Sequence, residues 1–118
     1  MKIGVLAEIK TGENRVAMTP AGAEILACAG HQVLVQSDAG KNSGFENRAY
    51  LKAGATIAGS AKELFDTCDM VLHVKEPQPS EYGLLREGQV LFTYLHLAAS
   101  EPLTRALLKT GAVCLAYE

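Results

Sequence analysis

The regular alternation of short β-prone apolar runs with helical stretches most constrains how this chain folds. Strands are predicted at residues 3–6, 33–35, 55–58, 70–74, 90–95 and 112–117. Helices are predicted at residues 20–29, 46–53 and 100–109, with a further helix after a capping box at residues 60–63. Strands that alternate with helices favour one parallel sheet with helices on its faces, so we predict a single α/β domain with a mainly parallel sheet.

Length and composition agree with one folded domain and exclude some partners. A chain of 118 residues with 48% hydrophobic and 20% charged residues can build a core without metal or disulfide cross-links. Its formal net charge of −2 provides no basic surface for nucleic acid or for an anionic membrane. No apolar run approaches the roughly 20 residues that span a bilayer, and the short N-terminal run predicts a strand rather than a signal peptide. We expect a cytoplasmic protein.

The three cysteines, Cys28, Cys68 and Cys114, are widely spaced and odd in number. None belongs to a C-x-x-C pair, so the spacing typical of zinc sites and dithiol redox sites is missing, and we predict no metal site. Each cysteine has apolar neighbours, which predicts three buried thiols in a reducing compartment.

Three polar side chains follow predicted strands. Arg15 lies in the loop after the first strand, Lys75 follows the strand at 70–74, and His96 follows the strand at 90–95. Ligands of open parallel sheets bind outside the carboxyl ends of the strands, so we expect all three at one edge. The alternatives are that Arg15 and Lys75 are solvated surface charges and that His96 is a structural histidine.

The chemistry of these side chains suits a small keto or amino acid. The guanidinium of Arg15 offers a planar fork of donors that matches a carboxylate. Lys75 can bind a carboxylate or polarise a carbonyl oxygen, and His96 can donate to that oxygen or transfer a proton. Phe92, Tyr94 and His96 would share one strand face if the alternation continues, and Tyr94 is expected to pack in the core.

Several motifs are missing from the sequence. No G-x-G-x-x-G follows any predicted strand, so we expect no cofactor-binding residues and no dinucleotide bound in the Rossmann mode. There is also no P-loop, no H-E-x-x-H and no G-x-S-x-G. His31 is expected in a turn and His73 within a strand, both structural or exposed.

Four stretches of the sequence resemble the alanine dehydrogenase and nicotinamide nucleotide transhydrogenase family, and they favour its alanine dehydrogenases. The matching stretches are Met1-Lys2-Ile3-Gly4-Val5, Gly12-Glu13-Asn14-Arg15-Val16-Ala17-Met18-Thr19-Pro20-Ala21-Gly22, Val74-Lys75-Glu76-Pro77, and Leu91-Phe92-Thr93-Tyr94-Leu95-His96-Leu97-Ala98-Ala99. The resemblance extends over the whole chain and corresponds to the N-terminal, substrate-binding part of such enzymes.

This resemblance implies a fold and a function. It implies a three-layer α/β/α domain, flavodoxin-like or Rossmann-like, and the reaction of L-alanine, NAD and water to pyruvate, ammonia and NADH. By resemblance, Arg15 and Lys75 bind the substrate and His96 is the catalytic histidine. NAD would bind a separate domain or subunit that this chain lacks, so we expect no cofactor on the chain alone. Family members are commonly hexameric, which implies a homo-oligomer.

Two positions depart from the family pattern, and three functional hypotheses stay open. Leu6-Ala7 stands where a proline and a polar residue are usual, and His73 where lysine is common. The chain is a substrate-binding portion that is inactive alone, a stand-alone pyruvate- or alanine-binding module, or a truncated remnant. The last strand runs straight into Glu118, which leads us to expect the first domain of something longer.

Overall fold

Six parallel strands form one sheet in the computed structural model, which describes residues 1–118. The strands are β1 Lys2–Val5, β2 Gln32–Gln36, β3 Thr56–Ala58, β4 Met70–Leu72, β5 Val90–Thr93 and β6 Val113–Ala116. Their order across the sheet is β3-β2-β1-β4-β5-β6, and every neighbouring pair is parallel. The predicted α/β class with a parallel sheet is confirmed.

The strand order also shows which of the two expected fold names describes the sheet. The order 3-2-1-4-5-6 is that of a Rossmann-like doubly wound sheet, whereas a flavodoxin-like sheet runs 2-1-3-4-5. The order reverses at β1, which pairs with β2 on one side and with β4 on the other. In such sheets, ligands bind where the order reverses, beyond the carboxyl ends of the strands.

Four helices connect the strands: α1 Pro20–Cys28, α2 Asn47–Lys52, α3 Ala61–Thr67 and α4 Glu101–Thr110. Three of them begin at hydroxyl caps, with Thr19, Ser60 and Ser100 each accepting a hydrogen bond from a backbone N–H of the first turn. Between β4 and β5 the chain forms only a 3-10 helix, Pro79–Leu84, and shorter 3-10 turns occupy Lys41–Ser43 and Leu97–Ala99. None of the helices has the length and apolar character needed to cross a lipid bilayer.

Helices cover both faces of the sheet, which gives the three expected layers. On one face, α1 and α2 bury Ala23 and Tyr50 against β1 and β2. On the other face, α3 and α4 bury Leu64 and Leu103 in a second core. Both faces of the sheet are therefore packed against helices. The register of the sheet fixes where the ends of β1, β4 and β5 lie relative to one another.

The sheet is uncovered on the α1 and α2 side of β5 and β6. Leu91 and Cys114 face the α4 core, so their neighbours Phe92 and Leu115 face the other way. Leu115 is 44% exposed, and the ring of Tyr117 stacks on that of Phe92 at 4.2 Å between centroids.

The cysteines do not all have the predicted burial. Cys68 is buried and Cys114 is half-buried, but Cys28 is exposed. Cys28 ends α1, and its position on the outer side of that helix leaves the thiol in solvent. The expectation of three buried thiols is therefore wrong for Cys28.

Candidate functional site

The three predicted site residues lie at one edge of the sheet. Arg15 belongs to the loop between β1 and α1, Lys75 follows the end of β4, and His96 follows the end of β5. Because β1, β4 and β5 are adjacent and parallel, their carboxyl ends meet at this edge. Arg15 and His96 are exposed and Lys75 is half-buried, so none is sealed in the interior.

Arg15 opens onto a cavity of about 240 Å³ at this edge. The cavity walls come from the loop after β1 and from the ends of β4, β5 and β6. Its lining residues are Arg15, Val16, Ala17, His73, Val74, Tyr94 and Tyr117. Lys75 and His96 do not line this cavity. The structure thus brings Arg15 to the ends of the neighbouring strands without enclosing all three predicted residues in one pocket.

The guanidinium of Arg15 is paired with the carboxylate of Glu13. Nε of Arg15 donates to Oε2 at 3.0 Å, and Nη2 donates to Oε1 at 2.7 Å. This pairing, with a smaller contribution from Lys75, lowers the pKa of Glu13 to about 2. A guanidinium has five N–H donors, so Arg15 keeps donors free for a second anion.

Lys75 is held by its backbone, and its ammonium is free of ion pairs. The backbone N–H of Lys75 donates to Oε2 of Glu8 at 3.1 Å, and Oγ1 of Thr93 donates to the Lys75 carbonyl at 2.8 Å. None of the ion pairs of the chain involves the Lys75 side chain. The ammonium is therefore available to a ligand.

His96 stands at a sharp turn beyond β5. Its φ of 50° is in the left-handed region, and a 3-10 turn follows directly. Nδ1 of His96 lies 3.8 Å from Oε2 of Glu76, a buried oxygen that has no hydrogen-bond partner. Burial alone would raise the pKa of Glu76, but the hydrogen bonds that its carboxylate accepts and the charge of Lys10 together outweigh burial, so the pKa is lowered. An ionised carboxylate therefore lies near the imidazole of His96.

Two expectations about neighbouring residues are wrong. β5 ends at Thr93, so Phe92, Tyr94 and His96 do not continue as one strand face. Tyr94 is 38% exposed rather than packed in the core, and its ring lies 5.0 Å from that of Tyr117. Tyr94 forms a wall of the cavity because the backbone turns there.

Carboxylates that were not predicted from the sequence support this edge. Glu8 and Glu118 each follow a strand end, and each accepts hydrogen bonds from two consecutive backbone N–H groups. Glu76 adds the charge next to His96. The position of Lys75 and His96 after strand ends is shared by these carboxylates, and that shared position is the sequence signal that indicates them.

Comparison with known proteins shows which proteins the whole chain resembles. Residues 4–118 match the model of the family "Alanine dehydrogenase/PNT, N-terminal domain". The chain is 52% identical over its full length to an alanine dehydrogenase of Methanococcus maripaludis and covers 32% of that protein. A solved L-alanine dehydrogenase superposes with a TM-score of 0.97 at 46% identity, over the whole chain and 32% of the other.

A second solved structure is more distant. A transhydrogenase from Sinorhizobium meliloti superposes with a TM-score of 0.91 at 28% identity, over 98% of this chain and 34% of the other. The chain therefore spans about a third of the length of the proteins it matches.

Proposed function

Because this chain belongs to the alanine dehydrogenase/PNT N-terminal domain family, we propose that its sheet edge binds the carboxylate of a small keto or amino acid, pyruvate or L-alanine. One observation carries the proposal: Arg15 opens onto a cavity at the edge where Lys75 and His96 also lie. These side chains come from three separate connections of the sheet, and such convergence of cationic donors is typical of anion sites.

Each side chain has a distinct part in the proposed site. Arg15 uses its unpaired N–H donors for the substrate carboxylate, while Glu13 keeps the guanidinium in position. Lys75, whose ammonium has no competing partner, binds the carboxylate or the carbonyl oxygen. His96 is the proposed catalytic residue because its imidazole can donate to that oxygen and transfer a proton. The ionised carboxylate of Glu76 lies 3.8 Å from this imidazole.

The residues of this chain do not fit NAD in the Rossmann mode. That mode needs a tight glycine-rich turn directly between the first strand and the first helix. Here residues 6–19 separate β1 from α1, and Gly12 is the only glycine among them. The loop carries Arg15 instead. We therefore assign the proposed NAD site to protein outside these residues.

The proposal implies partners for the chain. Hydride transfer requires substrate and nicotinamide in contact, so a nucleotide-binding domain or subunit must complete the cleft. The uncovered apolar face of β5 and β6 supports association with further protein, and we propose a homo-oligomer as the assembled form.

The experiment that tests the proposal is calorimetric titration of the 118-residue chain with pyruvate and with methyl pyruvate. The ester has no negative charge for Arg15 and Lys75 to bind. We expect saturable pyruvate binding, at least tenfold weaker binding of the ester, and pyruvate binding that is weakened at least tenfold but still measurable in Lys75→Ala. Equal binding of acid and ester would contradict a carboxylate site.

A further inference from the structure

His73, Glu8 and Glu81 form a buried charged cluster beneath the proposed site. The side chains are 1%, 3% and 5% exposed, respectively. Nδ1 of His73 lies 2.9 Å from Oε1 of Glu8, and Nε2 lies 3.0 Å from Oε1 of Glu81. A neutral imidazole has only one N–H, whereas an imidazolium donates from both nitrogens. The geometry therefore fits a protonated ring between two carboxylates.

The pKa of His73 also agrees with a protonated ring. Burial alone would lower the pKa of His73, but the hydrogen bonds to Glu8 and Glu81 outweigh burial and raise the pKa to about 9. No group of three or more metal-ligating side chains is arranged to hold an ion, and each ring nitrogen already has a carboxylate partner. The cluster is an ion bridge.

The bridge fixes the backbone on both sides of Lys75. Oε1 and Oε2 of Glu8 accept the backbone N–H groups of Val74 and Lys75 at 2.6 and 3.1 Å. Oε2 of Glu81 accepts the N–H of Gln78 at 2.8 Å. All four carboxylate oxygens thus have a donor, two of them from His73.

Beyond the end of β1, the Glu8 carboxylate supplies the hydrogen-bond acceptors that a longer strand would have supplied. β1 pairs with β4 only as far as Val5 and Leu72, after which the ladder ends with Leu6 donating to the Leu72 carbonyl. The next N–H groups on that side, those of Val74 and Lys75, would lack a partner without the Glu8 carboxylate. On the other side of this segment, the hydroxyl of Thr93 donates a hydrogen bond to the Lys75 carbonyl and so holds the backbone there.

We propose that His73 is a positioning residue: by bridging Glu8 and Glu81 it holds the Glu8 carboxylate against the backbone of Val74 and Lys75, and so sets where the Lys75 ammonium meets the substrate. The substrate part of this inference rests on the proposed function above. His73 lines the cavity, but its side chain is only 1% exposed and both of its ring nitrogens are bonded to carboxylates, so in this proposal it acts through Lys75.

A double-mutant cycle between His73 and Lys75 separates this role from a purely structural one. Residues coupled through one hydrogen-bond network give non-additive effects, whereas a general loss of stability would add to the effect at Lys75. The variants are His73→Gln, Lys75→Ala and the double variant, with His31→Gln as the control. His31 lies in the turn between α1 and β2, at the opposite edge of the sheet. The readouts are pyruvate affinity and amide hydrogen exchange.

We expect His73→Gln to weaken pyruvate binding about tenfold, to have no further effect in the Lys75→Ala background, and to accelerate exchange at Val74 and Lys75. His73→Lys, which keeps a cation between the carboxylates, should retain most of the affinity. His31→Gln should leave both readouts unchanged.

Several outcomes would overturn the inference, and they differ from failure of the proposed function. Wild-type affinity in His73→Gln, together with weakened binding in Lys75→Ala, would overturn the positioning role and leave the proposed function standing. Pyruvate binding that Lys75→Ala does not weaken would overturn the proposed role of Lys75 itself. If His73→Gln fails to fold, an affinity of His73→Lys as low as that of Lys75→Ala would equally contradict the bridge.

Discussion

The side-chain carboxylate of Glu118 accepts hydrogen bonds from the backbone N–H of His96 at 2.7 Å and from that of Leu95 at 3.2 Å. Of the three predicted site residues, only His96 has a left-handed backbone, which is unfavourable for a residue with a side chain. The contact with His96 lowers the pKa of Glu118. The segment after β6 therefore stabilises the turn that presents the imidazole.

Removing the Glu118 carboxylate should loosen this turn. In Glu118→Ala we expect faster amide hydrogen exchange at Leu95 and His96, because both N–H groups lose their acceptor. Glu118→Gln, which keeps one acceptor oxygen, should have a smaller effect. Glu24 is an exposed carboxylate on α1, so Glu24→Ala serves as the control. Unchanged exchange at His96 in Glu118→Ala would contradict the proposed support.

Arg15 should not be replaceable by lysine. Arg15→Lys keeps the charge but loses the planar fork, so it cannot hold Glu13 and a ligand carboxylate at once. We expect about a tenfold loss of pyruvate affinity, equivalent to one charge-assisted hydrogen bond.

The chain contains a matched control for Arg15. Arg48 pairs with Glu46 at 3.0 Å with the same sequence spacing, but on the exposed start of α2. Arg48→Lys should leave pyruvate affinity unchanged. Equal losses in the two variants would show that the effect does not come from the proposed site.

The sheet and its helices could be predicted because their signals are local. The predicted cap at Ser60 is confirmed, and it depends on residues only three positions apart. Short β-prone apolar runs likewise predicted all six strands. Local chemistry therefore accounts for the fold class.

The details of the site edge depend on contacts between distant residues. The sequence predicted strands through residues 74 and 95, but β4 and β5 end at Leu72 and Thr93. Val74 and Leu95 are buried as a strand would bury them, yet the ladder there is replaced by the carboxylates of Glu8 and Glu118. These partners are 66 and 23 positions away, so no local pattern indicates which backbone N–H groups the carboxylates bind.

His73 should make the stability of the chain depend on pH. Its pKa is raised to about 9 in the folded chain, while an unperturbed histidine titrates near 6.5. A group with a raised folded pKa stabilises fully below pH 6.5, and that stabilisation is lost as the pH rises through about 9. His73 therefore contributes at most about 3 kcal/mol to the free energy of unfolding.

Urea unfolding between pH 6 and 9.5 measures this effect. The free energy of unfolding should fall with pH in the wild type and in His31→Gln. In His73→Gln it should be nearly flat up to about pH 8 and fall above that only because burial raises the pKa of the Cys68 and Cys114 thiols. A wild-type profile that is already flat between pH 6.5 and 9 would show that His73 is not held as an imidazolium.

The 118-residue chain alone should not oxidise alanine with NAD. The loop between β1 and α1 carries Arg15 rather than a nucleotide-binding turn, so no residue here holds the nicotinamide near the substrate. The measurement is NADH formation by the purified chain at saturating L-alanine and NAD. Turnover that disappears in His96→Ala would contradict this expectation, since it would require a nicotinamide site within these residues.

The central claim is that one edge of the sheet binds a small carboxylate, and mapping amide chemical shifts during a pyruvate titration tests it most directly. The account predicts saturable shifts concentrated in the loop around Arg15 and just beyond β4 and β5, at Lys75 and His96. Residues at the opposite edge, such as His31, should stay unchanged. Pyruvate shifts that map to that opposite edge, or no saturable shift at all, would contradict the account.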